Sequence, residues 1–89
     1  MDIFIHDPQA TLVYGIEWAD WLATGDSLAT STWTADDGIT LGNDELDGTE
    51  TRVIVSGGTD KTNYRITNHV ISALGLEDDR SILLKVRHR

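Results

Sequence analysis

Few side chains in this 89-residue chain could do chemistry, and they are scattered. The histidines stand at His6, His69 and His88, too far apart in sequence to suggest a common ligand set. Serines and aspartates are plentiful, but no Gly-x-Ser-x-Gly run marks a nucleophile elbow. Cysteine is absent, which removes a thiol nucleophile, thiolate metal sites and disulfides. The densest group of oxygen ligands is "DDGITLGNDELDGTE", with Asp36, Asp37, Asn43, Asp44, Glu45, Asp47 and Glu50. Calcium takes six to eight oxygens, so Asp36, Asp37, Asp44 and Asp47 form a weak candidate calcium site. The spacing is not that of an EF-hand. The plainer reading is a solvated acidic edge that keeps the domain soluble and blunts edge pairing. Paired Asp36 and Asp37 lie in a turn, where neither is desolvated enough for general-acid work. The residues point away from an enzyme and imply no cofactor.

The elements that would carry these side chains are short strands. "LVYGIEW" alternates, with Leu12, Tyr14, Ile16 and Trp18 facing in. Trp18, Trp21 and Leu22 fall at i, i+3 and i+4, so a single helical or 3₁₀ turn gathers them on one side. "SLATSTWTA" is a threonine-rich strand with Trp33 toward the core. "ITL" at 39–41 reads as a short strand and "GNDELDGTE" as a loop. "TRVIVS" at 51–56 is a strand. In "TNYRITNHVIS" Tyr64, Ile66 and Val70 face one way, and Arg65, Thr67 and His69 the other. After a turn over 74–79, Ile82, Leu84 and Val86 face in while Ser81, Lys85 and Arg87 face out. Six to seven short strands with regularly spaced turns are the mark of a β-sandwich or a small barrel; the expected fold is an antiparallel β-sandwich, as one domain over residues 12–89.

Residues 1–11 read as an arm, broken by Asp7-Pro8. Ile3, Phe4 and Ile5 are too apolar to stay in water, so the arm packs on its own domain or, the favoured reading, docks on a neighbour. No run reaches the roughly 18 apolar residues of a membrane span, and "MDIFIHDPQA" lacks the form of a signal peptide. The expected protein is soluble and made in the cytoplasm.

The formal charge is −8, unevenly spread. Residues 1–51 hold eleven acids and no Lys or Arg; residues 52–89 hold all seven basic residues and four acids. Such a balance disfavours nucleic acid, which needs clustered cations. The split means either self-neutralisation within the fold or a bipolar subunit whose basic last strand (Lys85, Arg87, Arg89) meets a neighbour's acidic surface. Trp18 and Trp21 are either core or a docking patch beside the arm. A sugar-binding aromatic platform is also open on a β-sandwich, so a carbohydrate or calcium module is the alternative reading.

Two features carry a resemblance. Tyr64 enters its strand after the Gly-rich turn "GGTDKT", as does the corner tyrosine of immunoglobulin-like and fibronectin-III-like sandwiches, whose hydroxyl bonds backbone just upstream. Across most of the chain an ordered set also recurs. It comprises Asp7-Pro8, Trp18-x-x-Trp21-Leu22, Gly25-Asp26, Trp33, Gly57-Gly58-Thr59, Tyr64-Arg65-Ile66-Thr67-Asn68 and Asp79-Arg80-Ser81. In this order it resembles small tailed-phage proteins described as fibre–tail adaptors or minor tail proteins, with residues 36–52 matching least. The resemblance implies an immunoglobulin-like virion component without catalysis. It would sit in the tail and bind other tail or fibre proteins in a symmetric homo-oligomeric assembly. The contact residues expected are Ile3, Phe4, Ile5, Pro8, Trp18, Trp21, Lys85, Arg87 and Arg89, with Tyr64 and Trp33 structural.

Overall fold

The computed structural model describes residues 2–88. Seven strands run in chain order: β1 (Asp2–His6), β2 (Thr11–Glu17), β3 (Leu28–Ala35), β4 (Ile39–Asp47), β5 (Glu50–Gly57), β6 (Thr62–Ser72) and β7 (Glu77–Val86). They form two sheets, β1-β7-β6-β3 and β2-β5-β4, packed as a β-sandwich of 43 × 22 × 20 Å. All pairings are antiparallel except β1 with β7, which is parallel.

The period-two pattern becomes the core directly. Tyr14, Ile16 and Trp18 from the β2 side meet Val53 and Val55 of β5, and Ile66, Val70, Ile82 and Leu84 close the other layer. Leu12 is the exception to the expected inward face. It sits at the start of an edge strand and stays 41% exposed.

Three expectations need correction. The expected arm is, over Asp2–His6, the edge strand of the four-stranded sheet. His6 at its end is fully buried and Arg87 N–H donates to His6 O at 3.0 Å. Ile3, Phe4 and Ile5 nevertheless stay 57%, 41% and 52% exposed, because β1 lies at the rim. The supposed loop 42–50 is mostly strand. A bulge between Leu41 and Asp44 lets β4 run on to Asp47, and Gly48 at φ +62° turns the chain into β5. Acidic residues are poor strand formers, but an edge strand with one wet side tolerates them. The last turn ends at Leu76, so Glu77–Asp79 belong to β7.

The remaining connections are pinned by single side chains. Trp21 and Leu22 N–H groups both donate to Trp18 O, forming the expected single turn. Gln9 N–H donates to Asp7 Oδ1, fixing the Asp-Pro corner. Gly38 sits at φ +106°, and a Cβ there would come within 2.8 Å of the Tyr64 ring. The β3–β4 turn therefore needs glycine both for its dihedral and to admit Tyr64.

Charge sorts by end of the sandwich rather than by half of the sequence. The end built by the β2–β3, β4–β5 and β6–β7 connections and the adjoining strand ends holds eleven carboxylates, Asp2 included, against Arg52 and Arg80. The opposite end holds Asp7, Asp36, Asp37 and Asp60 against Lys61, Arg65, Lys85 and Arg87.

Candidate interaction surfaces

The buried polar groups build a tie rather than a reaction centre. Asn68, fully buried on β6, accepts at Oδ1 from Trp18 Nε1–H (3.0 Å) and Thr51 Oγ (2.7 Å). Its Nδ2 donates to Ser31 Oγ (2.8 Å) and Thr32 O (3.2 Å). One amide thus joins the two sheets and satisfies all four of its hydrogen-bonding positions. Arg80 covers the network from outside. Its guanidinium lies 4.4 Å from the centre of the Trp18 ring and donates to Glu17 O and Asp20 Oδ1. Trp21 packs edge-on against Trp18 at 5.2 Å. Trp18 is therefore core. With no exposed surface it is not a docking residue, while Trp21 is only partly buried. Trp33 is also partly buried against the core, and its Nε1 has no partner among the described residues.

The histidines stay apart. His6 Nδ1 and the Tyr14 hydroxyl share a buried hydrogen bond of 2.8 Å. His69 lies on the outer face of the four-stranded sheet, with Nδ1 bonded to Asp79 Oδ1 and Nε2 to Glu77 Oε2. Those hydrogen bonds, Asp79 first and then Glu77, raise its pKa above the ordinary value. Both ring nitrogens of His69 are taken by carboxylates, which leaves neither to activate a hydroxyl. His88 is exposed beside Asp60, which accepts its backbone N–H.

The four calcium candidates are not brought together. Asp36 Oδ2 accepts from Arg65 N–H at 2.9 Å in the β3–β4 turn, with Asp37 next to it. Asp47 pairs with Arg52 at 3.6 Å, and Asp44 lies on β4 beyond the bulge. Arg52 also holds Glu45 and Glu50, and the Glu45 hydrogen bond leads in raising its pKa against the opposing effect of burial. Among the described residues no group of three or more His, Asp or Glu is placed to hold a metal ion.

What the surface offers instead is a flank and a cationic edge. β1 and β2 are the edge strands on one side of the sandwich, linked by Phe4 against Tyr14 at 5.3 Å between ring centres. There Ile3, Phe4, Ile5, Leu12 and Val13 are exposed, and residues 8–16 carry no charge. Pro8 is partly buried in the turn joining the two strands. Lys85 and Arg87 lie on β7 and just beyond it, and among the described residues neither has a carboxylate partner. Arg89 lies outside the described residues.

Residues 6–85 match the model of the family described as Podophage GP4 fiber-tail adaptor protein gp77. The chain belongs to this family. It is accordingly a phage tail-associated protein, with a structural virion role in general. A search of curated proteins found no match. The positions that carried the resemblance to fibre–tail adaptors are mostly the fold's internal fasteners. Trp18, Trp21, Asn68 and Arg80 form the tie between sheets, Asp26 accepts the N–H groups of Ser27 and Leu74, and Thr67 shares a hydrogen bond with Ser81. Most of the motif thus specifies a scaffold in this gp77-family chain.

Proposed function

We propose that this chain joins tail subunits or fibres through protein–protein contacts, on an immunoglobulin-like scaffold, without catalysis. The family match over residues 6–85 carries the reading. The strand arrangement supports the scaffold. The second, fifth and fourth strands share one sheet, while the third, sixth and seventh share the other, the division found in immunoglobulin-like sandwiches. The first strand has moved across to pair with the last. Tyr64 also fits: it opens β6 and its hydroxyl accepts from Thr59 N–H at 2.9 Å.

The contact surfaces are the apolar flank (Ile3, Phe4 and Ile5 beside Pro8) and the basic end (Lys85 and Arg87), with Trp21 at the margin of the acidic end. Exposed side chains of this kind on an otherwise charged surface mark a place where another protein excludes water. Contacts of this type, repeated by symmetry, gain strength through effective concentration. Immunogold labelling of an epitope-tagged chain in assembled particles tests the role. Label confined to the tail is expected; label on the capsid shell alone contradicts it.

A further inference from the structure

The outer face of the four-stranded sheet is chemically graded along its strands. At the acidic end Glu77 and Asp79 of β7 flank His69 of β6. Even with His69 protonated this group is net negative. At the other end Arg65 of β6 and Lys85 of β7 face out, and neither makes an ion pair among the described residues. Between them lie hydroxyls and one apolar side chain: Thr67 and Ser81 share a hydrogen bond of 2.9 Å, Thr30, Thr32 and Thr34 of β3 continue the same face, and Leu83 stands between Ser81 and Lys85, in register with Arg65 and with Ile3 of β1.

We propose that two copies of this chain pair face to face through this sheet, about a two-fold axis passing over the Thr67–Ser81 pair. An isologous contact requires a patch complementary to its own two-fold image. Ser81 is midway between Glu77 and Lys85, and Thr67 midway between Arg65 and His69. The axis therefore brings each Glu77 to the other copy's Lys85, and each His69, held between Asp79 and Glu77, over the other copy's Arg65, with Asp79 over Leu83 and beside that arginine. Twisted sheets packed face to face cross at about 30°, which these long side chains accommodate.

Strand spacing and rise give this face roughly 500–600 Å² per copy, less than the roughly 800 Å² of a standard interface. The pair is therefore weak in isolation, in the micromolar range or above. The inference rests on the reading that the chain acts by protein contact, and it names one partner.

Sedimentation velocity of the full chain over a concentration series, at about 0.1 M and about 1 M salt, tests it, since the Debye length falls from about 10 to 3 Å. A dimer that grows with concentration and is lost at high salt is expected. Glu77→Lys and Lys85→Glu should each weaken it roughly tenfold, because symmetry counts each change twice. An equimolar mixture of the two variants should dimerise more tightly than either alone, which also controls for misfolding. A monomer at every concentration, a dimer indifferent to both swaps, or indefinite head-to-tail oligomers would each overturn the proposal. Particles could still contain the chain in all three cases, so the tail reading is judged separately by particle composition.

Discussion

Trp18 Nε1–H donates to Asn68 Oδ1 across the sandwich, from the end of β2 to the middle of β6, at 3.0 Å. The same oxygen takes the Thr51 hydroxyl, and the same amide's nitrogen reaches Ser31 and Thr32. A small domain with no disulfide depends on such fully satisfied buried links to hold two sheets in one register.

Asn68→Ala should therefore be among the most damaging single changes. It strands the Trp18 indole N–H and the Thr51 hydroxyl in the core, at about 1–3 kcal/mol for each group left unsatisfied. Thermal and urea unfolding should show a loss of roughly 2–5 kcal/mol, a large fraction of the stability of a domain this size. A loss below about 1 kcal/mol would mean that water replaces the amide.

Tyr64→Phe should cost less, about 1 kcal/mol, since it removes one hydrogen bond from Thr59 N–H and keeps the ring. Gly38→Ala should cost more than Tyr64→Phe, because it combines a positive φ with a clash against the ring. The same unfolding curves rank the two.

His69 makes its contribution to stability on the acid side of neutrality. Its folded pKa is raised by Asp79 and Glu77, so the native state holds the proton more tightly than the unfolded chain. The stabilisation is full below the unfolded value of about 6.5 and is lost as pH rises through the higher folded value. An NMR titration of the imidazole should give a midpoint above 6.5, and Asp79→Asn should lower it. A midpoint at or below 6.5 contradicts the pairing.

Asp2–His6 are an element of the fold. Deleting them removes β1 and the buried His6 and should destabilise the domain, so deletion cannot separate folding from assembly. Val13→Lys and Ile3→Lys can. Both side chains are more than half exposed, so the melting temperature should hold while particle incorporation drops. Normal incorporation of both variants would take the flank out of the contact.

The alternating patterns in β2, β5, β6 and β7 made the two-layer fold legible, because a half-buried strand writes its period of two into the sequence. The Trp18–Trp21–Leu22 turn and the Tyr64 corner were legible for the same kind of reason, fixed spacing beside a turn. Of β4 only Ile39–Leu41 was legible, because the acids beyond it and Gly42 oppose strand propensity and only pairing with β5 makes that part extended. β1 was misread because five residues before Asp-Pro give no sign of the strand they will join, and its partner β7 lies at the far end of the chain. Asn68 could have been found: it shares inward parity with Ile66 and Val70, and a polar residue at such a position asks for partners. The charge gradient on the outer sheet face needed the β6–β7 register, which fixes Asp79 beside His69 and Leu83 beside Arg65.

The central claim is that this gp77-family chain is a built-in part of the particle. Trypsin cuts after Arg65 and Arg80 and releases Ile66–Arg80, "ITNHVISALGLEDDR". Quantitative mass spectrometry of purified intact particles should find this peptide at a fixed ratio to known tail proteins, unchanged by further purification. The peptide in the lysate but not in intact particles would contradict a structural role in the virion.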